Sequence, residues 1–366
     1  MKKFLLFSLA VCCVSVVAAH EKPLRVAIAG LTHGHVEQVL RERGFPPGNF
    51  EIIGIWETNG PLETALTKKY GIDPGLVYAD LERMLDAVKP EAVAGYGNIF
   101  DHLKIVEAAA PRHIHVMVEK PLAVSAGHAR RIAALARKHG IIVMTNYETT
   151  WYPANNQARE AIDEGRLGPL RKVIVYDGHN GPIGINVQPT FLEWLADPKL
   201  NGGGAVIDFG CYGANLITWL MRGERPVKVY ADVRTHDPAS YPNVDDDATI
   251  LLSYRDMECV VNGSWAWPFS RKDMHIYGRD GYFFIHSGER WSYRYREMKE
   301  EATGQIISCF PMEGYNVALG YLARWIRGEI TPQPYDLSAL ENNVLVVEIL
   351  NAARRSAQTS RAVRLK

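Results

Sequence analysis

His115-Val116-Met117-Val118-Glu119-Lys120-Pro121-Leu122 is the stretch on which the fold of this chain turns. An apolar run of strand character stops at an acid, a base and a proline, and a helical pattern begins at Ser125. Proline fixes its own φ and holds the preceding residue extended, so Lys120 is expected at a strand end with little backbone freedom. In an open parallel sheet, ligands bind outside the carboxyl ends of the strands. A lysine held there can orient a hydroxyl and shift its proton equilibrium. Taken alone, Glu-Lys-Pro fits a solvated ion pair at a surface strand end better, so the flanking sequence decides.

Upstream, strand and helix patterns alternate. Leu24–Ala29 and Phe50–Trp56 read as buried strands, Ala92–Ala94 as a short one, and Ile114–Val118 and Ile141–Met144 as two more. Helical patterns fall at the segment ending near Arg43, at Pro61–Tyr70, Tyr78–Val88, His102–Ala110 and Ser125–His139. This alternation predicts a parallel, doubly wound sheet, the Rossmann arrangement. No internal repeat or low-complexity segment interrupts it.

Between the first strand and first helix lies Gly30-Leu31-Thr32-His33-Gly34-His35, where a dinucleotide-binding loop belongs. Glycines serve there because the backbone must turn tightly and approach a pyrophosphate at a helix N-terminus. Only the first fingerprint glycine, Gly30, is in place; Thr32 and His35 occupy the other two positions. Glu57, at the end of the second strand, is placed to accept the adenosine ribose hydroxyls. No arginine follows it, which favours NAD over NADP. A rival reading takes His33 and His35 as metal ligands of a β/α-barrel hydrolase. That fold needs eight βα units, and the alternation stops near residue 150, so no metal is expected.

Beyond Met144 the texture changes. A polar aromatic loop, Asn146–Pro153, leads to a helix over Ala154–Glu164. Strand patterns then follow at Arg171–Asp177, Lys228–Arg234, Asp247–Tyr254, Glu258–Trp267, Asp273–Tyr277 and Tyr282–His286, joined by short turns. They predict an open, largely antiparallel sheet with helices at Asn316–Gly328 and Ser338–Ser356. Gly202-Gly203-Gly204 runs into an apolar helix carrying Asp208 and Tyr212, four apart and so on one helix face. A carboxylate and a phenol aimed together can hold and deprotonate a hydroxyl if a cation such as Lys120 assists the phenol. The alternative is a capped helix whose acid and tyrosine are simply half-buried. His179, in the turn Gly178–Gly181, is a substrate-facing candidate or a surface histidine. Tyr147 and Trp151, where the chain crosses between domains, either line the cleft or pack there. Trp265 and Trp267 alternate along one strand face and are read as core or sheet-interface residues.

Glu119-Lys120-Pro121 after a parallel strand, and Gly202-Gly203-Gly204 before Asp208, together resemble the Gfo/Idh/MocA family of oxidoreductases. Asn98, His102, Glu164-Gly165-Arg166-Leu167-Gly168 and the run Leu340-Glu341-Asn342 to Ala353 add to the resemblance, which spans nearly the whole chain. It implies an α/β protein: an amino-terminal Rossmann domain, here 20–146, and a carboxyl-terminal α/β domain, 147–366, with an open sheet through which the protein forms a homo-oligomer. The last helix is expected to pack back on the first domain. It implies NAD as cofactor, with Gly30, Thr32, His33, His35, Glu57, Asn98, His102, Glu119 and Lys120 around it. It also implies roles for three residues: Lys120 orients the reacting oxygen, Asp208 supports the lysine, and Tyr212 exchanges the proton.

Composition sets the remaining bounds. Lys+Arg 41 against Asp+Glu 41 leaves no net charge, which gives no reason to expect a nucleic-acid partner. Lys2-Lys3, the apolar run Phe4–Val17 and Val17-Ala18-Ala19 read as a Sec-type signal peptide over residues 1–19. The run is too short to span a bilayer, so no membrane association is expected once it is cleaved. Cys211, Cys259 and Cys309 are odd in number and far apart, neither a disulfide framework nor a zinc pattern. Cleavage would make His20 the amino terminus, a copper-ligand type that nothing else in the chain supports. The expected protein is therefore exported to the periplasm or beyond and takes a small carbohydrate substrate. Its expected activity is NAD-dependent oxidation of a secondary alcohol, with the NAD held and recycled because free NAD is scarce outside the cytoplasm. Two alternatives remain: cleavage of glycosides by transient oxidation and elimination, and sugar binding without catalysis on a degenerate Rossmann scaffold.

Overall fold

The structure, a computed structural model, describes residues 22–42, 50–306 and 315–365. The signal-peptide reading, His20 and Cys309 fall outside them. Strands β1 (Leu24–Ala29), β2 (Phe50–Trp56), β3 (Val77–Tyr78), β4 (Ala92–Gly95), β5 (His115–Glu119) and β6 (Val143–Asn146) form one parallel six-stranded sheet, ordered β3-β2-β1-β4-β5-β6. Helices α1 (Val36–Glu42), α2 (Gly60–Tyr70), α3 (Leu81–Val88), α4 (His102–Ala109) and α5 (Ala126–His139) connect them. The central strands are apolar without alternation because helices cover both faces: β4 is buried at all four positions and β5 at four of five. Order reverses between β1 and β4, and the loop after β1 lies at that switch point, where ligands of such sheets bind.

The second half begins with α6 (Pro153–Asp163) and β7 (Leu170–Gly178). Short helices α7 (Gly181–Gly184), α8 (Pro189–Leu195) and α9 (Ala205–Asp208) and the buried α10 (Gly210–Leu220) follow. Then come β8 (Lys228–Arg234), β9 (Asp247–Ser253), β10 (Glu258–Ser264), β11 (Arg271–Gly278), β12 (Gly281–Ser287), β13 (Arg290–Tyr295) and β14 (Ala302–Gln305). Helices α11 (Tyr315–Ile326) and α12 (Leu340–Thr359) and strand β15 (Val363–Arg364) close the chain. These strands make a nine-stranded sheet ordered β14-β13-β12-β11-β7-β10-β9-β8-β15. It is mixed rather than purely antiparallel, because β7 and β10 pair in parallel, Glu258 opposite Lys172 through Ser264 opposite Gly178. One face of the sheet packs on α10 and α12. The latter also reaches α5, where Asn351 Oδ1 accepts the Ala126 amide at 3.1 Å. Among the described residues no helix is long and apolar enough to cross a membrane.

Four local readings change. Tyr78 ends a strand rather than starting a helix, because Asp80 caps the helix by accepting from the Arg83 amide at 2.7 Å. β13 and β14 escape a reading based on apolar runs, since β14 is Ala-Thr-Gly-Gln with no buried position. The helix expected through Asp208 and Tyr212 breaks at Phe209 into α9 and α10. Trp265 and Trp267 lie beyond the end of β10, so they are not alternating strand residues.

Candidate active site

Lys120 leaves the carboxyl end of β5 and is 7% exposed. Its Nζ makes a buried salt bridge to Asp208 Oδ1 and also donates to the Asp208 carbonyl at 3.2 Å. The second carboxylate oxygen of Asp208 accepts from Trp265 Nε1 at 2.9 Å. Burial alone would depress the lysine, yet Asp208 at contact distance reverses this and holds it above its ordinary range. Burial likewise acts against the Asp208 carboxylate, and Lys120 and Trp265 outweigh it. Both groups therefore stay charged inside the cleft.

The glycine run places Asp208. A Cβ on Gly204 would lie 1.8 Å from the Asp245 carbonyl oxygen, so only glycine lets the Asp245 loop close on the start of α9. There the Asp245 carboxylate accepts from the amides of Gly204 at 2.9 Å and Val206 at 2.6 Å. Gly204 thus docks the start of α9 against the Asp245 loop, while Gly202, at φ +91°, lies against Val124.

Tyr212, 3% exposed, lies across the break from Asp208 and still joins the site. Two ammonium groups face its ring, Lys120 Nζ and Lys272 Nζ, each 4.9 Å from the centroid. Tyr147 packs edge-to-face against it at 5.4 Å and is wholly buried, so it belongs to the packing around the tyrosine. His179 comes to the same pocket edge, its ring 4.8 Å from Phe209, and burial lowers it to about 4, leaving it neutral.

Lys272, Asp177 and Glu148 were not anticipated. Lys272 forms a salt bridge with Glu148, whose other oxygen accepts from Tyr152. Asp177 sits opposite Lys272 in the β7–β11 register, is 1% exposed, and its Oδ1 has no hydrogen-bond partner. Burial pushes its carboxyl well above the usual range. A signal was present in the alternation. The inward series Val173, Val175 on β7 and Ile276, Met274 on β11 continues to Asp177 and Lys272, where the sheet reaches the cleft.

Across the cleft, the loop after β1 is pinned tightly. Gly30 has φ +87°, and a Cβ there would lie 2.7 Å from Gly97. His33 donates its amide to the Tyr96 carbonyl at 2.8 Å. Glu57, 8% exposed, accepts from three amides: Leu31 at 2.7 Å, Thr58 at 2.7 Å and Asn59 at 2.7 Å. The carboxylate expected to meet a ribose thus also clamps the loop. Two oxygens offer about four acceptor sites, so it retains capacity for a hydroxyl. The loop's Thr32 and Gly34 amides donate to no other described residue. A positive-φ glycine, two uncommitted amides before α1 and a carboxylate at the end of β2 fit a dinucleotide.

Asn98 caps the turn before α4, accepting from the Asp101 amide at 3.0 Å, and His102 Nδ1 lies 3.2 Å from the Leu122 carbonyl. Both fix the walls of the cleft, and His102 Nε2 is buried without a partner. Glu119 receives Asn146 Nδ2 at 3.0 Å and lies 3.2 Å from His35 Nδ1. Trp151 donates to Asn146 Oδ1 at 3.1 Å and packs on Tyr321, which makes it a brace between domains.

Comparison with known proteins agrees with this architecture. Residues 24–147 match the oxidoreductase family with an NAD-binding Rossmann fold, and residues 155–284 match the GFO/IDH/MocA C-terminal domain. Trans-1,2-dihydrobenzene-1,2-diol dehydrogenase of Macaca fascicularis is 31% identical over 139 residues, 38% of this chain and 38% of its own length. The Xenopus tropicalis protein of that name is 26% identical over 191 residues, 52% of this chain and 54% of its own. The matches thus span about half or less of these relatives. Among solved structures, an inositol dehydrogenase homolog from Azotobacter vinelandii complexed with NAD+ has a TM-score of 0.81 at 17% identity. It covers 94% of this chain and 98% of its own. Aldose-aldose oxidoreductase from Caulobacter crescentus complexed with glycerol has a TM-score of 0.79 at 20% identity, covering 94% and 100%. At these identities the likeness speaks for the fold.

Proposed function

We propose that this chain, which belongs to the Gfo/Idh/MocA family of NAD-binding oxidoreductases, oxidises a secondary alcohol of a sugar or sugar derivative and holds its NAD for recycling. The observation that carries the proposal is the buried Lys120–Asp208–Tyr212 group at the carboxyl end of β5. NAD, when bound, accepts the hydride from the carbinol carbon and returns it in the reverse direction.

The residues supply the rest. Lys120 donates a charged hydrogen bond to the reacting oxygen and stabilises negative charge as its proton leaves. Asp208 fixes the ammonium in place, and Trp265 fixes Asp208. Tyr212 takes the hydroxyl proton as a base and returns it as an acid. A phenol is a poor base near neutrality, so the two ammonium groups that face its ring supply the positive charge the step requires. Gly30, Thr32, Glu57 and the amides of the loop after β1 would hold the dinucleotide.

Recycling follows from export. A chain passed unfolded across the membrane by its signal peptide meets little free NAD, so a captive cofactor suits it. That favours exchange between two sugars, with the glycoside-cleaving variant as the second reading. The relatives named for diols and aldoses support a small polyhydroxylated substrate. Aromatic rings of Tyr176, His275, Tyr277, Tyr282 and Phe284 in mutual contact along the large sheet support assembly of copies through it.

Mass spectrometry of small molecules released from the purified mature protein, with no NAD added, tests the central point. Stoichiometric NAD is expected, and sugar pairs and glycosides are then assayed for exchange and cleavage. Absence of NAD, with none bound on titration, would remove the oxidoreductase reading.

A further inference from the structure

We propose that His33, His35 and Glu119 form a binding site for one divalent transition-metal ion of the zinc type, with an open position towards the cleft. One ligand-type atom from each residue lies within 4.8 Å of the others. His35 Nδ1 and Glu119 Oε2 are 3.2 Å apart. That is close to the edge of a tetrahedron built on bonds of about 2.0–2.1 Å. The two rings meet edge-on at 4.3 Å. His35 is only half-buried, at the exposed side of the set.

The chemistry of the donors agrees. A metal ligand must be a neutral imidazole or an ionised carboxylate. His33 is buried, 1% exposed. Glu119 is 1% exposed and accepts from Asn146 Nδ2 at 3.0 Å. Two imidazoles and one carboxylate suit zinc, cobalt or nickel over magnesium or calcium, and three protein ligands leave a place for an oxygen donor.

The surroundings also have the form of a built site. Phe191 and Trp194 pack on His33 at 4.6 Å and 5.7 Å and fix its ring. Asn146 orients Glu119 at 3.0 Å, and Trp151 orients Asn146 at 3.1 Å, an outer shell of the kind that sets ligating carboxylates. Ligation through His33 Nδ1 would displace a long hydrogen bond, 3.2 Å from the His35 amide. The histidine pair alone does not imply a metal. The third ligand comes from β5, which the sheet brings against the loop after β1.

The test uses the full mature chain, stripped with a chelator and dialysed, then titrated with Zn2+ by calorimetry and with Co2+ by visible absorption. One equivalent of each is expected, with cobalt d–d bands of four- or five-coordinate intensity. His35→Asn and Glu119→Gln should abolish the bands. Asn146→Ala should weaken zinc binding roughly 10–100-fold. His113→Asn, at the separate His113–His139 ring pair, should leave binding unchanged. Absence of saturable binding by the wild-type chain would overturn the proposal, as would unchanged affinity in His35→Asn. Because His35 is half-buried, that variant keeps the test open even if His33 variants do not fold. NAD released from the same sample is measured separately, so a chain with NAD and no metal defeats this inference alone.

Discussion

Lys120 and Asp208 form a buried ion pair whose coupling can be measured directly. Each is under a tenth exposed, so removing one partner strands the other as a buried charge. Loss of one member of such a pair costs about 3–5 kcal/mol. Lys120→Met should therefore lose stability in that range as well as turnover, because Asp208 keeps only Trp265. Adding Asp208→Asn to the same chain should recover most of the stability and none of the turnover. Urea midpoints of the two single variants and the double variant check this. Additive losses would show that the ion pair is not coupled. These residues were legible in the sequence because each sits in a short contiguous motif, Glu-Lys-Pro or a glycine run before an acid. Lys272, Asp177, Glu148 and Trp265 were not, since they come from separate elements that meet only when β7, β10 and β11 pair.

The loop between β1 and α1 depends on two residues for different reasons. Gly30 has a positive φ that side chains rarely adopt, and a Cβ would collide with the Gly97 backbone. Gly34, four residues on, would meet only Phe191 at 3.8 Å, an ordinary contact. Gly30→Ala should thus cost at least the roughly 1–3 kcal/mol of a strained backbone site, while Gly34→Ala should be near neutral. Thermal melts of the pair check it, and equal melting temperatures would remove the strain argument. Glu57 carries the second role. The sequence placed it correctly at the end of β2 but could not show that its oxygens already receive three loop amides. Glu57→Ala should therefore loosen the loop by about 2 kcal/mol as well as weaken NAD binding about tenfold or more. Calorimetric NAD titration beside denaturant unfolding separates the two effects. Element boundaries failed where backbone context overrides composition. Phe209 interrupts an apolar helix, and β14 pairs through its backbone without burying a side chain.

Across the whole molecule, the alternation of strand and helix made the Rossmann half readable, because covered parallel strands must be apolar throughout. In the second half most strands and the closing helices were readable, and the expected return of the last helix to the first domain is seen where Asn351 meets Ala126. The parallel β7–β10 pairing was not readable, because it is a long-range outcome of packing. That packing also buries titratable groups, and the consequence is a stability that depends on pH. His102 is fully buried, and burial lowers it to about 4; His179, partly exposed, is lowered to about 4 as well. In the unfolded chain both titrate near 6.5, so between about 6.5 and 4 the unfolded state binds more protons. Unfolding free energy must then rise with pH through this window, and stability is lost as pH falls from 6.5 towards 4. The full shift at His102 corresponds to about 3 kcal/mol, and the exposed fraction of His179 contributes less. Glu119 and Asp208 act lower: their contribution is intact above about 4.5 and fades only as pH falls towards their depressed values. Urea midpoints between pH 7.5 and 4.5 should therefore decline, and His102→Gln, which has no imidazole to protonate, should decline by about one proton's slope less. A midpoint flat across that range in the unaltered chain would mean that His102 is protonated in the fold. Its ring would then need an acceptor for Nε2, which the interior as described does not provide.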